Sequence, residues 1–146
     1  MKTVNVYLSF EGNCAEAFDF YKSVFGGEFS YIGKYKDMPP IPDFPPLSKE
    51  DGEKITHVCL PISKETMLMG SDNIACGGME LHFGNNFSIS ANVDTKAEAD
   101  RLFTALSKGG AVTMPIADMF WGDYWGSFTD RFGVNWMVNC SGSKKG

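Results

Sequence analysis

The sequence predicts an α+β fold made of two copies of one strand–helix–strand–strand–strand module. Each half of the chain begins with alternating apolar and polar residues, which are followed by apolar residues at helical spacing and then by a pair of glycines. The two predicted helices also align without a gap, Ala15–Ala17 with Ala97–Ala99 and Gly27 with Gly109. Duplication of one module is the most economical explanation of this repeat.

The first module begins with a strand and a helix. Residues 4–10 alternate between apolar and polar side chains, which is typical of a half-buried strand. Asn13 is then the expected N-cap of a helix, with Glu16 three residues later as a loose capping box. Gly26–Gly27 ends the apolar helical pattern. The three remaining strands are expected at residues 28–35, 54–62 and 65–71.

Residues 36–51 interrupt this pattern with five prolines between positions 39 and 46. Proline lacks the N–H that a sheet ladder needs, so we expect a long loop here. This loop is either a surface excursion or a lid over a pocket, because long ordered loops often have a function.

The second module repeats the order of the first. Residues 87–93 alternate, and Asp94 or Thr95 is the expected N-cap of a helix over residues 96–108. The last strands are expected at residues 111–119, 124–129 and 134–140. We therefore place the modules at residues 1–72 and 86–146, with a Gly- and Asn-rich linker at residues 73–85.

Composition narrows the class of protein. The 146 residues carry a net charge of −5 and no basic run beyond Lys144–Lys145, so a nucleic-acid partner is not expected. No apolar stretch approaches the roughly 20 residues that span a bilayer, so we expect no membrane partner. The four cysteines are scattered without a CxxC pair, which argues against zinc-finger and disulfide frameworks and favours the reducing cytoplasm.

Two such modules, each with its helix outside a mostly antiparallel sheet, are expected to enclose a cup. The polar residues of the first strands would then face inward, namely Asn5, Tyr7, Ser88 and Ser90. A sheet face that merely meets solvent would show the same pattern. The segment Phe120–Trp136 adds Trp121, Tyr124 and Trp125, which are either core residues or the wall of a pocket.

His57 is the most informative single side chain. It lies in the middle of a predicted strand, where a histidine is either a hydrogen-bonded core or pocket residue or a general base. Asp72 at the end of the next strand is either a turn residue or a partner that orients His57 or a ligand. Met67 and Met69 are interpreted as adaptable apolar packing.

Three segments carry a family resemblance: Tyr7–Gly27, then Ile55–Pro61 with Leu68–Asp72, and the block FWGDYWGSFTDRFGVNWMVN. In these the chain resembles the vicinal oxygen chelate superfamily, which includes glyoxalase I, extradiol dioxygenases and bleomycin- and fosfomycin-resistance proteins. Within that superfamily it is similar to the PhnB-like branch. The resemblance implies paired βαβββ modules and a homodimer.

The superfamily also implies a divalent metal bound by His, Glu or Gln from the first and last strand of each module. The matching positions here are Asn5, Met69, Ser88 and Met137. Thioethers and a hydroxyl are weak ligands for Zn²⁺, Ni²⁺, Mn²⁺ or Fe²⁺, which argues against the usual metal site but not against every metal. We predict no cofactor.

The predicted function is the binding of a small molecule in the cup. The candidate binding residues are Asn5, Tyr7, His57, Ser88, Ser90, Trp121, Tyr124 and Trp125. The alternative is a metal-dependent lyase, isomerase or dioxygenase, or one in which His57 is the catalytic base.

Overall fold

The computed structural model describes residues 3–39, 42–43, 45–74 and 80–142. The chain divides into two compact units between His82 and Phe83, which lie inside the expected linker. Each unit contains one four-stranded mixed sheet and a long helix, as predicted for an α+β fold of two βαβββ modules. None of the helices in the described part of the chain has the length and apolarity needed to cross a membrane.

The elements of the first unit are β1 (Val6–Phe10), α1 (Cys14–Phe25), β2 (Tyr31–Lys34), α2 (Lys49–Gly52), β3 (Ile55–Pro61) and β4 (Met67–Asp72). Its strand order is β1-β4-β3-β2, in which β1 and β4 are parallel and the other neighbours are antiparallel.

The proline-rich segment is partly helical at both ends. A 3-10 turn occupies Tyr35–Asp37, and α2 is a single turn whose N-cap Ser48 accepts a hydrogen bond from the Asp51 N–H at 3.0 Å. The prediction of an irregular loop throughout residues 36–51 is therefore wrong at these ends, because the Ser48 cap stabilises a short helix after the last proline. Positions 40, 41 and 44 of this segment lie outside the described residues.

The elements of the second unit are β5 (Ile89–Val93), α3 (Lys96–Ser107), β6 (Ala111–Asp118), β7 (Tyr124–Thr129) and β8 (Asn135–Cys140). Its strand order, β5-β8-β7-β6, is equivalent to that of the first unit, again with one parallel pair, β5 and β8. Of the two expected N-caps, Thr95 caps α3, since the Thr95 hydroxyl accepts from the Glu98 N–H at 3.1 Å.

The core of the first unit lies between α1 and one face of its sheet. Phe18 of α1 packs edge-on against Tyr21 and against Phe10 of β1, with ring centroids 5.5 and 6.3 Å apart. Gly70 of β4 lies directly under this contact, and a Cβ there would come within 2.8 Å of both the Leu8 carbonyl oxygen and the Phe18 ring. The even-numbered residues of β1 and β4 therefore face α1, and the odd-numbered ones face away.

The start of α1 is held by Asp72 rather than by its N-cap residue. Asn13 makes no side-chain capping hydrogen bond, so the predicted capping box is wrong. Instead the buried Asp72 carboxylate accepts from the N–H groups of Gly12, Cys14 and Ile55 at 2.7, 3.0 and 2.9 Å. A carboxylate accepts stronger hydrogen bonds than an amide and is favoured at a helix N-terminus, so Asp72 joins α1, β3 and β4.

Asp130 plays a similar part in the turn between β7 and β8. Its buried carboxylate accepts from the N–H groups of Phe132 and Val134 at 2.8 and 3.0 Å, and from the Trp136 indole N–H at 2.9 Å. This buried acceptor fixes both the turn and the largest aromatic side chain of β8.

Candidate ligand-binding site

The face of the first sheet that points away from α1 carries a row of side chains across all four strands. The strand register pairs Tyr7 with Met69, Met69 with Cys59, and Cys59 with Tyr31. His57 lies on the same face, two residues before Cys59. We call this surface the open face; Tyr7 and Tyr31 are 49% and 54% exposed on it.

Three rings form an aromatic cluster on the open face. The Tyr7 hydroxyl lies 3.2 Å from Nδ1 of His57, and the two rings are stacked with centroids 5.6 Å apart and planes 25° apart. The ring centroid of Tyr31, in the neighbouring strand β2, lies 5.7 Å from that of His57. The hydroxyl donates to Nδ1 in one histidine tautomer and accepts from it in the other, and in each case the bond fixes the imidazole orientation.

Tyr31 was absent from the residues that the sequence predicted for the site. Its place beside His57 depends on the register of β2 against β3, which includes an irregularity between Gly33 and Lys34. The alternation of side chains in its strand indicates which face Tyr31 shares with its strand neighbours, but it does not show which strand lies beside it.

The repeat places different residues at the equivalent positions of the second unit. Met137 lies between Ser90 and Ser127, as Met69 lies between Tyr7 and Cys59. Trp125, two residues before Ser127, corresponds to His57. Its ring centroid lies 6.0 Å from that of Trp121, which is 48% exposed. The structure therefore brings Trp121 and Trp125 together and places Ser90 on the same sheet face as Trp125.

Three other predicted site residues lie elsewhere. Asn5 precedes β1, where its side-chain oxygen accepts from the Met67 N–H at 3.1 Å and its amide donates to the Thr3 hydroxyl. Ser88 is exposed and precedes β5. Tyr124 points to the helix side of its sheet, since its hydroxyl donates to Asp100 of α3 at 2.5 Å.

Tyr124 instead lines a cavity of about 410 Å³ at the start of α3. Two charged groups of this cavity form an ion pair: the Lys96 ammonium lies 2.9 Å from Asp118, and it also lies 5.0 Å from the centre of the Tyr124 ring. The hydrogen bond to Asp100 raises the pKa of Tyr124, and the hydrogen bond to Asp118 raises that of Lys96. The lining residues are Asp94, Thr95, Lys96, Asp118, Gly122, Tyr124, Cys140, Ser141 and Gly142.

The donor set that the resemblance implies does not fit a divalent transition metal. Asn5 is engaged by Thr3 and Met67, and Met69 and Met137 offer only thioethers. The register places Tyr7 and Ser90 opposite these methionines, and a phenol and a hydroxyl do not improve the set. Among the described residues, no group of three His, Cys, Asp or Glu side chains could hold a metal ion.

A comparison with known protein families assigns the chain to a family. Residues 3–138 match the model of the Glyoxalase/Bleomycin resistance protein/Dioxygenase superfamily. The chain belongs to this superfamily. The curated relative YjdN of Escherichia coli K12 is 29% identical over 138 residues, which cover 91% of each chain.

Solved structures of the superfamily fold agree. Protein PA1353 from Pseudomonas aeruginosa is 41% identical, with a TM-score of 0.80 over 97% of this chain and 100% of that one. A PhnB protein from Bacillus cereus is 24% identical, with a TM-score of 0.75 over 95% and 99% of the two chains. The likeness to the PhnB protein concerns the fold alone.

Proposed function

We propose that this superfamily member is a binding protein that holds a small planar molecule on the open face of its first sheet. Tyr7 and Tyr31 would provide aromatic contact area, and His57 would provide the polar group that orients the ligand. The observation that carries the proposal is the stacked, hydrogen-bonded pair of Tyr7 and His57 on a face where the tyrosine rings are about half exposed.

The exposed rings of Tyr7 and Tyr31 leave apolar surface in contact with water. Aromatic rings contribute large apolar areas and are usually covered in a core or at an interface. A small-molecule site typically combines such apolar walls with a few convergent polar groups. The cluster of Tyr7, Tyr31 and His57 has both parts, and its imidazole is already oriented by a neighbouring hydroxyl.

We also propose a second contact surface in the second unit, formed by Trp121, Trp125 and Ser90. The tryptophan pair offers a stacking surface, and Ser90 offers a hydroxyl on the sheet face of Trp125. The free thiols of Cys14, Cys59 and Cys140 suit the cytoplasm as the proposed location. A homodimer and the absence of nucleic-acid and membrane partners complete the proposal.

An enzyme of the lyase, isomerase or dioxygenase type is the second candidate. The contact between Tyr7 and His57 also favours it, because an imidazole whose Nδ1 donates to a hydroxyl oxygen exposes Nε2 as a base. The two candidates differ in one outcome: a bound compound is recovered unchanged from a binding protein and is converted by an enzyme.

The test is a thermal-shift screen of planar aromatic and heteroaromatic compounds, followed by calorimetry of the hits. We expect His57→Ala and Tyr7→Phe to weaken hit binding while the melting temperature changes little, because both side chains lie at a partly exposed surface. Tyr124→Phe is the matched tyrosine control and should bind normally. A His57→Ala protein that binds every hit as tightly as the wild type would contradict the proposal.

A further inference from the structure

The open face carries a cluster of sulfur atoms beside the aromatic rings. The Cys59 thiol donates to the Met67 thioether, with Sγ and Sδ 3.2 Å apart. Met69 lies directly opposite Cys59 in the β3–β4 ladder, so that the side chains of Cys59 and Met69 share one face. Side chains at directly opposite ladder positions have Cβ atoms about 4.5–5.5 Å apart, so the Met69 side chain starts beside that of Cys59 and its thioether is within reach of the thiol.

The sulfur cluster combines a buried thiol with a partly exposed thioether. Cys59 is only 6% exposed and forms no disulfide, whereas Met67 is 37% exposed at the edge of the cluster. The second unit has no equivalent cluster at the matching described positions: Ser127 stands where the first unit has Cys59, and Asn135 where it has Met67. The sulfur cluster is therefore a property of this surface and not of the repeated module.

Thiolate and thioether ligands select soft ions. They bind Cu(I) and its analogue Ag(I) much better than the hard divalent ions Mg²⁺, Ca²⁺ and Mn²⁺. A set of one cysteine and two methionines is poor for Zn²⁺, which needs four nitrogen, oxygen or thiolate donors. The soft thioether of Met69 is therefore a poor ligand for the superfamily's usual divalent metal but a good ligand for a soft ion such as Cu(I).

We propose that Cys59, Met67 and Met69 form a binding site for Cu(I). The ion arrives already reduced and binds the three sulfur atoms, and the Cys59 thiol releases its proton to solvent as the Cu–S bond forms. No electron is transferred in this step. The site differs from the proposed ligand site in its donor atoms, and either could exist without the other.

The experiment is an anaerobic competition titration against Cu(I) held by the chromogenic chelator bicinchoninate. We expect the wild-type protein to withdraw one equivalent of Cu(I). Cys59→Ser, Met67→Leu and Met69→Leu should each weaken Cu(I) binding by about tenfold or more. Met137→Leu, at the equivalent position of the second unit, and Cys140→Ser, another buried thiol, are the matched controls and should bind like the wild type.

Circular dichroism of each variant separates lost binding from lost folding. If Cys59→Ser does not fold, the partly exposed Met67 still allows the test, because Met67→Leu replaces the thioether with a side chain of similar size. The proposal is overturned if the wild type leaves Cu(I) with the chelator. It is also overturned if Cys59→Ser or Met67→Leu withdraws the ion normally, or if Cys76→Ser, a further thiol control, abolishes binding.

Discussion

Replacing Asp72 tests how the first unit is held together. In Asp72→Ala the N–H groups of Gly12, Cys14 and Ile55 lose their acceptor. A buried donor left without a partner costs about 1–3 kcal/mol, and the donors of Cys14 and Ile55 are buried. We therefore expect the free energy of unfolding to fall by about 3 kcal/mol or more, which corresponds to roughly 6–12 °C in melting temperature for a chain of this size.

Asp72→Asn refines this prediction. The asparagine oxygen can still accept from Gly12 and Cys14, but its NH₂ group then points at the Ile55 N–H, where a donor faces a donor. The loss should be smaller than in Asp72→Ala yet clearly measurable by chemical denaturation. Asp19→Asn on the exposed side of α1 is the control and should stay within about 0.5 kcal/mol of the wild type. A loss below about 1 kcal/mol in Asp72→Ala would refute the reasoning.

Two further predictions concern ionisable side chains, and a third concerns the homodimer that the family resemblance implies. The hydrogen bond from Lys36, followed by that from Lys34, lowers the pKa of Glu53 to about 2. The contribution of the ionised Glu53 to folding stability is complete above about pH 4.5 and is lost as the pH falls through about 2. An NMR titration of the Glu53 carboxyl group with a midpoint near 4.5 would contradict this prediction. Burial, and then the nearby Asp72 carboxylate, raises the pKa of the Cys14 thiol, so we expect Cys14 to resist alkylation until the protein unfolds; rapid labelling of the native protein would oppose this. Sedimentation equilibrium should give a homodimer at micromolar concentration, and a monomer would argue against the proposed assembly.

Much of the fold could be predicted because its determinants are local. Alternation, helical spacing and glycine pairs lie within each segment, and the gapless alignment of the two helices revealed the repeat. Thr95 is one of the two residues predicted as the N-cap, and its capping partner, the Glu98 N–H, is only three residues away. The turn and strand limits shifted by a few residues, since the ends of strands depend on their neighbours.

The details of the candidate site depended on long-range contacts that the sequence does not display. Asn13 occupies the N-cap position as predicted, but its side chain makes no capping hydrogen bond, and Asp72, far along the chain, supplies the acceptor instead. Strand alternation separates the adjacent Tyr124 and Trp125, but which of the two faces α3 depends on how the sheet packs against that helix. The register of β2 against β3 places Tyr31 near His57, and the register of β3 against β4 places Cys59 opposite Met69.

The most direct test of the proposed binding face is chemical-shift mapping by NMR with a hit from the planar-compound screen. We predict that the largest shifts fall on the side-chain resonances of Tyr7, Tyr31 and His57, and that the His57 imidazole shifts saturate with the same dissociation constant that calorimetry gives. Shifts confined to the cavity at the start of α3, with the His57 resonances unchanged at saturation, would contradict the account.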